Sequence, residues 1–249
     1  MMKNIIEQKL NEIEKSENIK ILHCVESGSR AWGFASPDSD YDVRFIYVRP
    51  KEYYLRLDKT RDVIEWQLDD TLDINGWDIQ KVLQLLYKSN PTVYEWNNSP
   101  IVYRTTEEWK NLSGTLERFF SIKSGIYHYL NTAKSNYKGW ENSETVKFKK
   151  YFYVLRPLLA CRWMLSEGTP PPMLFTELAE KHLDISLKDD VEKLLDLKIN
   201  SPEKEYGQRF AKLDEYILKS IAEFEETVHT LTEAEKGWDE LNSVFLSLL

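Results

Sequence analysis

Cysteine, histidine and long apolar runs are all scarce in this chain. Two cysteines, Cys24 and Cys161, and four histidines are scattered over 249 residues. Neither set has the spacing of a zinc site or of a disulfide framework. No apolar run approaches the roughly 20 residues that a membrane-spanning helix needs, and the N-terminus carries acids where a secretory signal has an apolar core. We therefore expect a cytoplasmic protein with reduced, packed thiols and no membrane partner.

An excess of basic residues is also missing. The formal net charge is -8, whereas non-specific DNA binding requires a broad positive field. Apolar residues make up 42% of the chain, which is enough for packed cores and argues against disorder. The length suits two small domains.

The first hundred residues alternate between helix and strand patterns. Ile6, Leu10 and Ile13 form one apolar helical stripe. Short runs rich in branched residues predict strands at residues 19–26, 43–48, 62–67 and 71–75, with a turn and short helix over residues 28–33. A second helical stripe follows Gly76 and consists of Ile79, Val82, Leu83 and Leu86.

The strand patterns stop after Tyr103, and the rest of the chain predicts helices. Predicted helix starts are Thr105 with Glu108, Ser201 with Pro202, and Thr232 with Glu235. A helix over residues 143–167 ends at Gly168, with Pro157 expected to kink or restart it. We predict an α+β protein with a core domain over residues 1–104 and a helical domain over residues 105–249.

Two carboxylates lie close together in the segment "ESGSRAWGFASPDSDYDVRFIY". Asp40 and Asp42 are two residues apart, so both would face the same side of a strand that began at Asp40. Like charges at that distance require a proton or a cation between them. Mg²⁺ prefers such oxygen ligands. Two such ions, about 3.5–4 Å apart, can bind both the attacking and the leaving oxygen of a displacement.

A third carboxylate on a neighbouring strand would complete such a site. Asp73 is the candidate, because it lies in the middle of the strand-like run "TLDIN". Asp78 competes, although its place at a helix start favours N-capping. Gly28 and Ser29 lie at the preceding strand-to-helix turn, where a glycine lets the backbone approach phosphate closely and backbone amides bind anions.

Basic residues supply further candidates. Arg44 continues the alternation of Asp40 and Asp42, and it would either clamp a phosphate or form an ion pair with one of the acids. The run "KFKKYFYVLRP" carries Lys149, Lys150 and Arg156, which suit a triphosphate. For the aromatic residues of that run, packing in a core is the favoured interpretation.

Together these motifs resemble a known family. "GSRAWGF" followed by "SDYDV" is similar to the motif of the polymerase-beta-like nucleotidyltransferases. The longer segments "GSRAWGFASPDSDYDVRFIYV", "DINGWDIQKVLQLLYKSNPTVYEW", "SPIVY" and "KKYFYVLRPLLACRW" resemble the RlaP family, whose members are associated with RNA-ligase repair systems and also occur in phage genomes. The resemblance extends over roughly residues 20–175.

The resemblance implies a small mixed sheet packed with helices, followed by a helical C-terminal domain. It implies transfer of a nucleoside monophosphate from a nucleoside triphosphate such as ATP to a hydroxyl group, with release of pyrophosphate. Carried over by position, Gly28 and Ser29 hold the triphosphate, Asp40 and Asp42 bind two Mg²⁺ or Mn²⁺ ions, and Asp73 binds one ion and helps to deprotonate the hydroxyl.

The acceptor stays open at this point. An RNA end is the acceptor that the family association implies, and a protein or small-molecule hydroxyl is the alternative. A nucleotide-binding module of the same fold without catalysis is a further alternative.

Overall fold

The computed structural model describes residues 2–58, 60–69, 71–200, 205–233 and 235–249, and for residues 67–69 it describes the backbone only. The chain divides into two compact units. Unit 1 comprises Met1–Ala31, Asp40–Phe119 and Glu235–Leu249, and unit 2 comprises Trp32–Ser39 and Phe120–Ala234. These units divide the chain differently from the predicted boundary near Arg104. That boundary remains a prediction.

Unit 1 is built on a mixed five-stranded sheet with the order β3-β4-β2-β1-β5. Strands β2 and β4 are parallel, and the other neighbours are antiparallel. The strands are β1 (Lys20–Glu26), β2 (Tyr41–Val48), β3 (Val63–Asp69), β4 (Leu72–Asp78) and β5 (Val102–Thr105).

Helices cover this sheet and close a core of branched and aromatic side chains. Ile6, Leu10 and Ile13 are fully buried against strand residues, as their spacing predicts. The helices of unit 1 are α1 (Met2–Glu17), α2 (Gly28–Ala31), α3 (Lys51–Tyr54), α4 (Ile79–Tyr87), α5 (Pro91–Asn97), α6 (Glu107–Ser113) and α12 (Asp239–Ser247), with a 3-10 turn at Leu116–Phe119.

Unit 2 is mainly helical and has its own core around α7 and α8. Tyr151 and Phe152 are buried in that core, which confirms the packing predicted for the aromatic residues. Its elements are α7 (Ile122–Lys138), β6 (Thr145–Lys147), α8 (Phe148–Glu167), α9 (Phe175–His182), α10 (Lys188–Asn200), β7 (Tyr206–Gln208) and α11 (Ala211–Val228), with a 3-10 turn at Ile185–Leu187.

The predicted helix starts are wrong in two places that the structure describes. Thr106 caps α6 in place of Thr105, because Thr105 is still paired in β5. Thr232 starts no helix, and α12 begins only at Asp239. The start at Ser201 and Pro202 lies outside the described residues.

The helix predicted over residues 143–167 also begins later than expected. Residues Thr145–Lys147 pair with Tyr206–Gln208 as a two-stranded sheet, so α8 starts at Phe148. From there it continues through Pro157 without a new start, and it ends at Gly168 in the left-handed conformation, as predicted.

Two of the predicted absences can be compared with the structure. Both cysteines are buried and unpaired. Within the described ranges, no helix is both long enough and apolar enough to cross a bilayer.

Candidate active site

The site begins where β1 ends and the chain turns into α2. Gly28 has a φ of +59°, a conformation that favours glycine. A Cβ atom at this position would lie 2.0 Å from Asp42 Oδ2, so only glycine lets the Asp42 carboxylate lie against the turn. Ser29, the next residue, is buried in the same turn.

Asp42 and Asp73 are brought together by the pairing of β2 with β4. The two strands are parallel, and Asp42 is in register with Asp73. Phe45, further along β2, covers Gly76, where a Cβ atom would lie 2.2 Å from its ring. This close packing favours the register that makes the two aspartates neighbours.

Arg44 bridges the two carboxylates. Its Nη2 lies 2.7 Å from Asp42 Oδ1 and 2.8 Å from Asp73 Oδ2. The Arg44 side chain is 18% exposed, whereas that of Asp73 is 53% exposed. Of the two roles that the sequence left open for Arg44, the ion pair is the one that the structure contains. Phosphate binding remains a prediction.

Asp40 is placed differently from the expectation. The strand begins at Tyr41, so Asp40 precedes it and is exposed. Its carbonyl accepts a hydrogen bond from Arg30 Nε at 2.9 Å, and the Arg30 guanidinium lies 3.8 Å from the centre of the Tyr41 ring. The premise that the strand begins at Asp40 is therefore wrong, and a shared face for Asp40 and Asp42 no longer follows from alternation, which applies only within the strand.

The donor set fits a divalent cation, although it differs from the expected three-carboxylate cluster. Across the described residues, no group of three acidic, histidine or cysteine side chains converges. Asp42 and Asp73 nevertheless offer carboxylate oxygens on both sides of one cationic nitrogen. Hard oxygen ligands of this type suit Mg²⁺ and Mn²⁺. The Arg44 nitrogen already places a positive charge between these two carboxylates.

Glu26 and Tyr103 also belong to this site, although neither was predicted from the sequence. Glu26 is fully buried at the end of β1. Its Oε1 accepts the Asp42 N–H at 2.8 Å, and its Oε2 accepts the Tyr103 hydroxyl. Burial raises the pKa of the Glu26 carboxyl, and the nearby Asp42 charge adds to the rise, while the two hydrogen bonds oppose it. The signal in the sequence was a lone acid that ends an apolar run two residues before the Gly28-Ser29 pair.

Asp78 performs the capping role that competed with metal binding. Its Oδ1 accepts the Gln80 N–H at 2.8 Å at the start of α4, and its Oδ2 accepts the Tyr54 hydroxyl at 3.0 Å. Burial raises the pKa of the Asp78 carboxyl to about 6. Its contacts are those of a helix cap.

The basic candidates Lys149, Lys150 and Arg156 all lie on α8 in unit 2. Lys149 and Lys150 are half-buried near its start. Arg156 is only 3% exposed, donates from Nε to the Met173 carbonyl at 3.1 Å, and lies over the Trp32 ring. Nucleotide binding by these three residues remains a prediction.

Unit 2 also contains a buried lysine that was not among the candidates predicted from the sequence. Lys198 on α10 is 2% exposed, and its ammonium group donates to Ser36 Oγ at 2.8 Å. Ser36 lies in the segment that leads to Asp40, and its own N–H donates to Ser39 Oγ. The "FASPDS" loop is therefore an ordered element with buried polar contacts.

Comparison with known proteins relates this geometry to a family. The chain is 43% identical over 252 residues to the uncharacterized protein YcgL of Bacillus subtilis strain 168, with 99% of this chain and 96% of that protein covered. A solved nucleotidyltransferase-like protein from Exiguobacterium sibiricum 255-15 matches 90% of this chain and 75% of its own, at 15% identity and a TM-score of 0.33. At that TM-score the likeness carries no argument.

The family model decides the assignment, because it matches residues 2–247 and so covers both units. Its description is RlaP, the RNA repair pathway DNA polymerase beta family. The resemblance of the Gly-Ser and Asp-Tyr-Asp motifs is thereby confirmed, and the chain belongs to the RlaP family and is a polymerase-beta-like nucleotidyltransferase.

Proposed function

We propose that this protein transfers a nucleoside monophosphate from a nucleoside triphosphate to a hydroxyl group at an RNA end, with a divalent cation, in the cytoplasm. The observation that carries the proposal is the pair Asp42 and Asp73. The two residues are in register on parallel strands, and the Arg44 guanidinium bridges their carboxylates. Two crowded carboxylates of this kind suit a bound metal ion.

The chemistry conserves atoms and charge in a single displacement. The acceptor oxygen forms a bond to the α-phosphorus, and the bond from that phosphorus to the pyrophosphate oxygen breaks. The proton of the acceptor hydroxyl passes to a carboxylate, for which Asp73 is the proposed base. Its side chain is 53% exposed, so an acceptor can reach it from solvent.

The residues of the turn prepare the site for the triphosphate. Gly28 leaves room for the Asp42 carboxylate beside the turn, and Ser29 supplies a hydroxyl and a backbone amide. We assign both residues to the triphosphate. Arg44 is assigned to a phosphate once its two carboxylates are occupied, because a guanidinium pairs with phosphate as readily as with carboxylate.

Asp42 and Asp73 are the residues that would hold Mg²⁺ or Mn²⁺, and Asp40 is the candidate to join them at a second ion. A bound divalent ion supplies neutralisation of the phosphate charge that develops during the displacement. The exposed position of Asp40 leaves its carboxylate accessible to such a ligand.

The acceptor is the least constrained part of the proposal. The family description names RNA repair, which supports an RNA end. The net charge of -8 supports the second candidate, a protein or small-molecule hydroxyl, because long RNA prefers a basic groove.

The test is a panel of nucleoside triphosphates labelled at the α-phosphate, with Mg²⁺ or Mn²⁺ and RNAs with defined ends. We expect label transfer and pyrophosphate release from the wild type. Asp42→Asn and Asp73→Asn should each lower the rate at least about a hundredfold, beyond the loss typical of residues that only support a metal ligand. Asp62→Asn is the matched control, because Asp62 is a 60% exposed acid of unit 1 in a 3.4 Å pair with Lys81.

The outcomes separate the candidates. Label on RNA supports the proposal, and label on protein or a small molecule in cell extract supports the second candidate. The proposed chemistry would be overturned if the wild type released no pyrophosphate with any nucleotide. It would also be overturned if the wild type were active and the Asp42→Asn and Asp73→Asn variants had the same rate.

A further inference from the structure

Glu26 occupies an unusual place in the sheet of unit 1. It is a fully buried acid at the last position of β1, two residues before Gly28, where the chain turns. Hydrogen bonds hold its own backbone on the side that faces away from β2. The Glu26 N–H donates to the Ile101 carbonyl, and the Glu26 carbonyl accepts a hydrogen bond from the Ser99 hydroxyl. The carboxylate is therefore anchored to a fixed stretch of backbone.

The Glu26 carboxylate replaces a missing acceptor in the β1–β2 ladder. Val25 pairs with Arg44 and Glu26 with Val43, so the next pair is Ser27 with Asp42. The Ser27 N–H donates to the Asp42 carbonyl at 2.8 Å. In a regular antiparallel pair the Asp42 N–H would return a bond to the Ser27 carbonyl. Here the chain turns away at Gly28, and the Asp42 N–H donates to Glu26 Oε1 at 2.8 Å.

A third strand fixes the other oxygen of the same carboxylate. Tyr103 lies on β5, the edge strand beside β1, and its hydroxyl donates to Glu26 Oε2. With one oxygen held by β5 and the other by Asp42, the carboxylate cannot rotate without losing a hydrogen bond in the interior. A buried polar network in which each member has a partner is rigid.

We infer that Glu26 is a positioning residue, which holds the backbone of Asp42 so that the Asp42 carboxylate lies against Gly28 and beside Asp73. This inference rests on the proposed role of Asp42 as a metal ligand. The role of Glu26 is to supply a hydrogen-bond acceptor, so an uncharged side chain with an oxygen in the same place can substitute for it.

The variants separate the acceptor from the charge. Glu26→Gln keeps an oxygen for the Asp42 N–H and turns its amide toward the Tyr103 hydroxyl. Glu26→Ala removes both contacts, and Tyr103→Phe removes only the contact from β5. Ser99→Ala is the matched control, because Ser99 binds the Glu26 carbonyl at 2.6 Å and leaves the carboxylate untouched.

Two measurements are made on the full chain, and neither requires turnover. Mn²⁺ affinity is measured by electron paramagnetic resonance, and exchange of the Asp42 amide hydrogen by NMR. We expect Glu26→Ala to weaken Mn²⁺ binding by about tenfold or more, the loss typical of residues that orient a metal ligand, and to accelerate exchange at Asp42. For Glu26→Gln and Ser99→Ala, both the Mn²⁺ affinity and the exchange rate at Asp42 should stay within about threefold of the wild-type values. Tyr103→Phe should have an intermediate effect, larger than that of these two variants and smaller than that of Glu26→Ala.

Several results would contradict the inference. One is a Glu26→Ala protein with wild-type Mn²⁺ affinity and wild-type exchange at Asp42. Another is a folded Glu26→Gln protein as impaired as Glu26→Ala, since the charge and not the acceptor would then matter. Should Glu26→Ala not fold, Glu26→Met fills the space without an oxygen and takes its place. A wild type that binds no Mn²⁺ refutes the proposed metal site, while exchange at Asp42 still decides the role of Glu26.

Discussion

At the scale of single residues, Gly28 and Asp42 constrain each other. Gly28 has a positive φ, and the Asp42 carboxylate fills the space where any other residue would place its Cβ atom. Only glycine meets both conditions, because it has no Cβ atom and adopts positive φ at no steric cost. The Gly-Ser motif therefore shapes the carboxylate site as well as the turn.

A Gly28→Ala substitution should damage the site more than the fold. The positive φ costs an alanine roughly 1–2 kcal/mol of unfolding free energy, and the new Cβ atom collides with Asp42 Oδ2. We expect that loss of stability in urea denaturation, together with loss of Mn²⁺ binding and of nucleotidyl transfer.

Gly168→Ala is the control for this variant. Gly168 also has a positive φ, of +71°, but a Cβ atom there meets nothing within 4 Å. Its alanine variant should lose similar stability and keep Mn²⁺ binding. Equal Mn²⁺ affinity in both variants would refute the steric argument for Gly28.

At the scale of secondary structure, strand β4 and the start of α4 place Asp73 and Asp78 in different surroundings. These two acids were the candidates for the third carboxylate of the metal site. Asp73 faces Asp42 across the β2–β4 pair, and Asp78 ends β4 as the cap of α4. Both lie on one strand, but Asp78 is 3% exposed and Asp73 is half exposed. Burial and capping give Asp78 a structural role, whereas the side chain of Asp73 is accessible to solvent.

Asp78 should make the stability of the protein depend on pH. Its folded pKa of about 6 lies above the ordinary value of 3.8. A carboxyl with a raised pKa stabilises the fold below the ordinary pKa, and that contribution is lost as the pH rises through the folded pKa. Asp78→Asn keeps a capping oxygen and cannot ionise. Relative to the wild type, it should gain up to about 3 kcal/mol in unfolding free energy between about pH 4 and pH 6.

Chemical denaturation over this pH range measures the difference. Asn90→Ala is the comparison, because Asn90 is a neutral cap that accepts the Thr92 N–H of α5. Its effect on stability should be the same at each pH. A pH-independent difference between Asp78→Asn and the wild type would contradict the assignment of Asp78 as a buried, destabilised carboxylate.

At the scale of the whole molecule, the excess of acidic residues limits how nucleic acid can bind. The chain carries 41 acidic and 33 basic side chains. Many of the basic ones are already used in ion pairs, such as Arg104 with Glu7 and Glu14 in unit 1 and Arg162 with Glu223 in unit 2. A long RNA therefore meets a chain of net negative charge, whereas an RNA end requires only local contacts.

RNA binding should accordingly be weak, insensitive to length and only mildly sensitive to salt. Each neutralised phosphate contributes about 0.7 to the slope of log affinity against log salt for a single strand. We expect a slope below about 2, which corresponds to two or three phosphates. Fluorescence anisotropy between 50 and 200 mM salt, as rough bounds of the useful range, measures it with RNAs of two lengths.

An RNA with blocked ends serves as the control and should bind less well than the same RNA with a free hydroxyl. A steep slope that grows with RNA length would show a phosphate-tracking groove, which contradicts recognition of an end.

Local patterns in the sequence determined most elements of this protein. The stripe of Ile6, Leu10 and Ile13, the cap at Asp78 and the stop at Gly168 depend on neighbours in the chain, and all three are in the structure. The motifs around Gly28 and Asp42 also determined the family, because their residue types and spacing can be recognised without coordinates. Such features follow from backbone geometry and helical period, which are local properties.

Only the tertiary structure decided which side chains meet. Strand β2 starts at Tyr41 and not at Asp40 because its pairing with β4 begins there, and β6 exists because it pairs with β7 about sixty residues later. Arg44 between two aspartates and Glu26 beneath Asp42 result from strands that are distant in sequence and adjacent in the sheet. Register and burial are properties of packed strands, so no local pattern could have specified these contacts.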